Sequence, residues 1–461
     1  MPRRQAHPPR LTPLSSAEPA RGRASSSGAA WLTAAFAAFV ASLGIVGADA
    51  LWAVPLGHEV AQGRLPGSIP FAAAVTAGWH DVPAGAELVL WSLYHALGGY
   101  RGLFVAQVAA AAAGFGALAA GLRAEATEAT VLVVSAIVLL GSLPAVVVVG
   151  VSGASLAFFP LLAWVLERDA RTADGRVWLA VPLLAVWGNL HGGVLAGWAL
   201  LACYAVLGRA RRGAGEALAL VAAATLALFL NPALWRTPSY YRHVFGSEVA
   251  RRGTDLWSPL GTGGFDVLLV AAAAALMALA LLRGVRMRLW EAAALLGLAA
   301  ATVHVARTGV FLLFLAAYPA ARGLRLRALQ PGLLRAAAAA FAAGAVFSVA
   351  FGRHAPGSSE LAAVAARTRA PVLATPVLGQ QVAEAGGRVW VGNPIDAFRR
   401  GDQRLYLDWT SGRSGGADAV RHAAYVLVAR GSAAGAAAAA DARLSLVRQD
   451  AAALLYRVRG S

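Results

Sequence analysis

Three acidic residues near the start of the chain stand where carboxylates could take part in catalysis. Asp49 directly follows the first apolar block, and Asp81 and Glu87 come before the second. A carboxylate can activate an attacking hydroxyl as a general base, or serve as a metal or acceptor ligand. These residues are the catalytic candidates. Each has a structural alternative. Asp49 could equally be a solvated residue at a helix end, and loop acids such as Asp81 are usually just solvated. For Glu87 the better explanation is a carboxylate at a helix start, where the helix dipole favours it.

Arginine and histidine supply candidates for substrate binding in two later polar segments. Arg242 lies in "PSYYRHVF", and His304 and Arg307 lie in the short turn "HVARTG". The planar fork of a guanidinium suits the phosphate of a leaving group. Contact with anionic lipid head groups is the competing interpretation for both arginines.

A glycine-rich stretch, "VWGNLHGGVLAGW", places Asn189 and His191 inside a long apolar run. Polar side chains have a solvation cost there, and glycines weaken the helix that carries them. The stretch therefore predicts either a turn between two short helices or the lining of a polar cavity. We expect Asn189 and His191 to satisfy the backbone of such a turn, with a substrate-binding role in a cavity as a close second.

The composition predicts that helices crossing a membrane position these residues. The chain has 461 residues, of which 58% are hydrophobic and only 14% charged, whereas soluble domains carry about 25% charged residues. Apolar blocks of roughly 15 to 20 residues recur along it. The eleven blocks lie at about 29–47, 102–121, 129–143, 153–167, 176–189, 194–208, 215–231, 265–283, 289–306, 309–321 and 332–351.

The distribution of charge predicts the topology. Arginine, without any lysine, supplies the basic residues behind the net charge of +17. Arginines flank alternate blocks, which is typical of cytoplasmic loops rather than of a groove for nucleic acid. We expect a bacterial plasma-membrane protein with a cytoplasmic N-terminus and an external C-terminus. The same pattern requires two short helices around "WGNLHGG", although one long tilted span is the alternative.

Three regions follow from this pattern. Residues 1–28 predict a disordered cytoplasmic tail, residues 29–351 a transmembrane domain, and residues 352–461 a small external α/β domain. Asp396, Asp402 and Asp408 in the last region are expected to shape turns, with acceptor binding as the alternative. Strands are predicted within "APVLAT", "GRVWVGN", "AAYVLVAR", "LSLVRQD" and "ALLYRVR".

An external acid, external arginines and a polar turn at membrane depth together favour one chemistry. It is the transfer of a sugar from a polyprenyl-phosphate donor to an external envelope glycan or protein. Membrane lipids are the other expected partners. The sequence leaves a divalent metal open. No nucleotide cofactor is expected, because "GTGG" at 261–264 lacks the lysine and the preceding strand of a phosphate-binding loop.

Several motifs resemble those of multi-pass bacterial proteins in the GT-C glycosyltransferase superfamily. Its acidic motif after the first span is similar to "GADALWAVPLG", which keeps Asp49 but has Gly47 and Ala53 in place of an acid and a histidine. Its Trp-x-Asn-x-His-Gly stretch matches residues 187–192. Its Asn-Pro matches Asn231 and Pro232, and its late arginine matches Arg307.

The resemblance implies an all-α polytopic fold of about eleven transmembrane helices, followed by the external α/β domain. It also implies the transferase activity, with Asp49 first among the candidate carboxylates. Two alternatives remain at this stage. One is a non-catalytic envelope scaffold, and the other is a transporter of a lipid or solute with a degenerate form of this fold.

Overall fold

The computed structural model describes residues 28–76, 78–327, 329–352 and 359–460. The predicted tail 1–28 lies outside this part of the chain except for Gly28. Over the described ranges the protein is mostly helical, with a small sheet near the C-terminus.

Helices account for most of the chain up to residue 351. In order they are α1 Gly28–Ser42, α2 Ala48–Ala61, α3 Ala84–Ala96, α4 Tyr100–Leu122, α5 Glu128–Gly141, α6 Leu143–Val147, α7 Gly153–Thr172, α8 Ala180–Gly188, α9 Val194–Tyr204, α10 Ala214–Ala227, α11 Thr237–Phe245, α12 Glu248–Arg252, α13 Gly264–Leu281, α14 Leu289–His304, α15 Gly309–Gly323 and α16 Pro331–Phe351.

Each of the eleven apolar blocks coincides with a helical segment. Three of these helices, α4, α13 and α16, are long and apolar enough to cross a membrane. These three helices support the expected association with a membrane. The number of spans and their orientation stay predictions, because the other helices are shorter or less apolar.

Arginines from several helix ends meet at one end of the bundle. Glu167 of α7 is fully buried and lies 2.7 Å from Arg288, which precedes α14. Arg322 of α15 lies 2.7 Å from Glu291 at the start of α14. Three basic segments that the charge pattern assigns to one side of the membrane therefore share one end of the fold.

The glycine-rich stretch forms a turn between two helices. Helix α8 ends at Gly188, and α9 begins at Val194. The buried ring of Trp187 lies against Gly197, so the two helices fold back on each other. Two short helices, rather than one long span, are therefore observed.

The C-terminal part is the expected α/β domain. Its helices are α17 Glu360–Arg367, α18 Pro376–Glu384, α19 Arg400–Thr410 and α20 Ala433–Ala440. Its strands are β3 Pro371–Ala374, β4 Arg388–Val389, β5 Tyr425–Ala429, β6 Leu444–Gln449 and β7 Ala453–Val458. All five lie within the predicted strand segments.

The sheet has the order β4-β3-β5-β7-β6. Strand β3 is parallel to both β4 and β5, whereas β7 is antiparallel to β5 and β6. Helix α18 connects β3 to β4. Val372, Leu373 and Val426 are fully buried in the sheet, which matches the apolar runs that predicted these strands.

Segment 62–83, between α2 and α3, joins this domain to the helical part. Val389 of β4 exchanges backbone hydrogen bonds with the segment, donating to Phe71 O at 2.9 Å and accepting from Ala73 N at 2.7 Å. The hydroxyls of Tyr94 and Tyr100 both donate to the carboxylate of Glu384 on α18, at 2.5 and 2.8 Å. The two parts therefore meet across polar as well as apolar contacts.

Candidate functional site

Asp49 stands at the first turn of α2, beside a short parallel ribbon. Strands β1 Ile45–Val46 and β2 Val148–Val149 form the ribbon, and Gly47 N donates to Val149 O at 2.8 Å. A Cβ placed on Gly150 would lie 2.9 Å from both carboxylate oxygens of Asp49. The carboxyl group therefore fits against main chain that only a glycine leaves open. Burial raises the pKa of Asp49, while its own backbone N–H and the charge of Arg307 partly oppose this.

Arg307 approaches the same region from the turn between α14 and α15. Its guanidinium carbon lies 4.7 Å from the centroid of the Trp257 ring, and Ala306 N donates to Ser258 O at 3.0 Å. Arg307 is exposed to solvent, although desolvation by the protein atoms around its guanidinium lowers its pKa, and the charges of Asp49 and Tyr240 oppose this. Within the described ranges its guanidinium has the ring contact but no hydrogen bond or ion pair, so its N–H groups remain available to an anion.

Asn189 satisfies the backbone at the turn after α8. Its side-chain amide donates to Ala185 O at 2.9 Å and to Leu230 O at 2.6 Å. Asn189 O in turn accepts from Ala86 N at 3.3 Å, at the start of α3. The contacts favour the structural interpretation of this residue, which ties the turn to two neighbouring segments.

His191 is oriented by a chain of hydrogen bonds. Trp187 Nε1 donates to Ser155 Oγ at 2.9 Å, and Ser155 Oγ lies 2.6 Å from His191 Nδ1. The same Nδ1 accepts from Gly193 N at 3.1 Å. Because Nδ1 is an acceptor, the ring proton belongs on Nε2. No hydrogen bond to Nε2 is found in the described part, so the N–H remains available as a donor.

Asp81 and Glu87 form a buried carboxyl pair. Their exposed fractions are 4% and 0%, and within the described ranges no donor from another residue reaches either carboxyl group. Burial raises the pKa of both, and the neighbouring carboxyl of Asp81 raises that of Glu87 further. Two interacting carboxyl groups favour a single proton held between them, because like charges repel. The sequence suggested neither the pairing nor the burial, because six residues separate the two positions.

A cavity of about 430 Å³ opens beside Asp81. It is lined by Leu65, Pro66, Gly67, His80, Asp81, Pro232, Ala233, Leu234, Trp235 and Arg236. Burial lowers the pKa of His80, and the charges of Arg236 and His243 add to the effect. The sequence contained a signal for part of this wall, since the Asn-Pro motif begins the lining turn.

Asn231 of that motif holds the turn together. Its Oδ1 accepts from Ala233 N at 2.9 Å, and its Nδ2 lies 2.9 Å from Thr237 Oγ1. Leu234 in the same turn has a φ of 44°, a left-handed conformation that few residues other than glycine adopt. The motif therefore shapes a strained loop rather than supplying a reacting group.

Tyr240 of α11 links the two groups of charged residues. Its pKa is raised by burial and then by the charges of Asp396, Tyr241, Asp81 and Glu87, in that order. Its own charge also acts on Arg307. Tyr240 therefore lies within electrostatic range of both the Asp81–Glu87 pair and Arg307, which the sequence had not indicated.

Asp396 of the C-terminal domain faces the same region. Burial raises its pKa to about 6, against a hydrogen bond with its own backbone and the charge of His243. Asp408 lies 2.8 Å from Arg252, which fits a structural role. Asp396 and Asp408, which were both expected to shape turns, therefore differ: Asp396 has a raised pKa, whereas Asp408 has an ion partner.

Arg242 and His304 are exposed. The part of the chain described here shows no hydrogen bond or ion pair for either side chain, so the structure does not join them to the other candidates. No group of three or more histidine, cysteine, aspartate or glutamate side chains that could hold a metal ion occurs among the residues with described positions. Comparison with known proteins found no matching family model and no matching curated protein.

Proposed function

We propose that this chain is an integral membrane glycosyltransferase of the GT-C type, which transfers a sugar from a polyprenyl-phosphate donor to an external acceptor. The proposal includes eleven spans, a cytoplasmic N-terminus and an external C-terminal domain. The observation that carries it is the placement of Asp49 and Arg307. A carboxyl with a raised pKa and a guanidinium that has no ion partner among the described residues are close enough for the charge of each to shift the pKa of the other.

These two groups match the two needs of glycosyl transfer. The Asp49 carboxylate takes the proton of the acceptor hydroxyl, whose oxygen forms a bond to the anomeric carbon of the donor sugar. The bond between that carbon and the phosphate oxygen breaks, and its electron pair stays on the phosphate. Arg307 stabilises the phosphate charge through its N–H groups. The raised pKa of Asp49 makes it a stronger base than a solvated carboxylate.

The surrounding residues hold these groups in position. The ring of Trp257 lies against the guanidinium of Arg307, which restricts its motion. Gly150 leaves room for the carboxyl of Asp49. His191 supplies a further donor within electrostatic range of Arg307, since no described group accepts from its Nε2–H and the charge of Arg307 acts on its ring.

The first test is binding of polyprenyl phosphate to the full-length protein in phosphatidylcholine nanodiscs. Arg307→Gln should weaken binding by about tenfold or more, because a charge-assisted hydrogen bond contributes about 1.5–3 kcal/mol. Arg101→Gln is the matched control, since Arg101 is an exposed arginine at the start of α4 and its side chain makes no hydrogen bond or ion pair within the described ranges. Equal binding by wild type and both variants would refute the donor site and favour a scaffold or a transporter.

A second test concerns turnover with polyprenyl-phosphate-linked sugars as donors. Asp49→Asn keeps the shape of the side chain and removes the base, so release of polyprenyl phosphate should fall by about 10²–10⁴-fold while donor binding persists. Gly150→Ala should reduce turnover as well, because its methyl group would displace the carboxyl of Asp49. Full activity of Asp49→Asn would contradict the assigned role.

A further inference from the structure

The wall of the cavity beside Asp81 combines acidic, basic and aromatic side chains, and the proposed transfer step does not use them. Its volume of about 430 Å³ lies within the range of small-molecule sites, roughly 300–1,000 Å³. Three chain segments form it, around residues 65–67, 80–81 and 232–236. Each segment belongs to a loop rather than to the packed bundle.

The inner wall of the cavity carries a buried acceptor. Asp81 is only 4% exposed, and the described part of the chain shows no hydrogen bond to either of its carboxyl oxygens. Burial and the charge of Asp81 raise the pKa of the neighbouring Glu87. A buried acceptor without an outside donor has an unmet hydrogen bond, which a ligand hydroxyl would satisfy.

The outer wall presents an aromatic face and a cation. Trp235 is 77% exposed, and its ring is braced by Phe229 at a centroid distance of 5.7 Å. Arg236 follows it in the same turn. The strained φ of 44° at Leu234 helps to present these side chains, and such strain tends to persist at binding sites.

We infer that this cavity binds a neutral sugar ring, which would be the acceptor end of the proposed transfer reaction. Ring hydroxyls donate to the Asp81 carboxylate and accept from the Arg236 guanidinium, while the C–H face of the ring packs on Trp235. An anionic ligand would meet the Asp81 carboxylate, and a cationic one would meet Arg236. A ligand that is neutral and rich in hydroxyls satisfies both walls.

The position of the cavity fits an acceptor site. Tyr240 feels the charges of Asp81 and Glu87, and its own charge acts on Arg307. A sugar in the cavity therefore contacts a carboxyl whose charge acts on Tyr240, the same residue whose charge acts on the proposed phosphate-binding Arg307. The assignment of the sugar as acceptor rests on the proposed function, but its binding does not.

Binding can be measured without any donor lipid. Methyl glycosides of glucose, galactose, mannose and arabinose are titrated into full-length protein in phosphatidylcholine nanodiscs, with saturation-transfer NMR as the readout. We expect at least one glycoside to bind saturably. Trp235→Ala and Asp81→Asn should each raise its Kd about tenfold or more, whereas the control Arg101→Gln should leave it unchanged.

The outcomes are separable from those of the donor experiment. Absence of saturable binding by all four glycosides, or binding that survives both Trp235→Ala and Asp81→Asn, overturns the sugar site. Displacement of the glycoside by equimolar methylammonium or inorganic phosphate overturns the inference that the site prefers a neutral ligand. Trp235→Ala changes an exposed side chain, so it should leave the fold intact. Because Asp81 is buried, circular dichroism checks that Asp81→Asn is folded. If glycosides bind as expected while polyprenyl phosphate binds independently of Arg307, the sugar site stands and the transferase proposal falls.

Discussion

Adding one methyl group to Gly197 should disturb the turn that carries Asn189 and His191. A Cβ at Gly197 would lie 2.3 Å from Cζ3 of the Trp187 ring and about 3 Å from two further ring atoms. That ring is fully buried and lies beside Phe158 and Phe159, with centroids 6.2 and 6.5 Å away. It has no free space into which it can move.

The expected magnitude follows from these contacts. Overpacking a buried site costs about 1–3 kcal/mol. Displacing the ring also breaks the bond from Trp187 Nε1 to Ser155, which leaves a buried donor unsatisfied at about 1–3 kcal/mol. In the opposite direction, replacing a helical glycine with alanine stabilises the folded state by about 0.5–1 kcal/mol. Gly197→Ala should therefore lower the free energy of unfolding by about 1–5 kcal/mol.

Gly188→Ala is the matched control nine residues earlier. Gly188 also lies in a helix, but a Cβ there would meet no atom within 4 Å. This variant should be stabilised by about 0.5–1 kcal/mol. Unfolding in a titration with sodium dodecyl sulfate, followed by far-ultraviolet circular dichroism, measures both. Equal shifts for the two variants, or a stabilised Gly197→Ala, would refute the reasoning.

Three further outcomes can be checked. Glu384→Gln should weaken the docking of the C-terminal domain by about 1–3 kcal/mol, seen as faster hydrogen exchange in α18, because Tyr94 and Tyr100 lose a charged acceptor. Asp169→Asn should destabilise by about 1–3 kcal/mol in chemical unfolding, since the guanidinium of Arg209 loses its buried partner and keeps only Glu216; unchanged stability would contradict this. Burial raises the pKa of Asp81, so the folded state binds more protons than the unfolded chain and stability falls as pH rises above the ordinary aspartate range. Asp81→Asn should flatten that slope in melts between pH 4 and 7.

Local patterns were sufficient to predict most of the elements. The alternation and β-branched content of "AAYVLVAR" and "LSLVRQD" predicted β5 and β6. Runs of apolar residues predicted where helices lie, because a side chain's hydropathy and the local periodicity depend on neighbours in sequence. The glycines around Asn189 predicted the break between α8 and α9 for the same reason.

The candidate site could be predicted only in part. Asp49 and Arg307 were chosen from their residue types and positions, and in the structure the charge of Arg307 acts on the pKa of Asp49. The residues that define their environment, Trp257, Tyr240 and Gly150, could not be chosen, because they lie about 50 to 210 residues along the chain from Asp49 and Arg307.

The sequence by itself determined that the protein is helical and apolar, with a turn at residues 189–193 and a small α/β domain at its end. Tertiary structure alone decided that the side chains of Asp81 and Glu87 are both buried, that Glu384 accepts from two tyrosines, and that a cavity opens beside Trp235. The physical reason is distance along the chain. Propensity and hydropathy act over a few residues, whereas desolvation and charge depend on whatever the fold places within several ångströms.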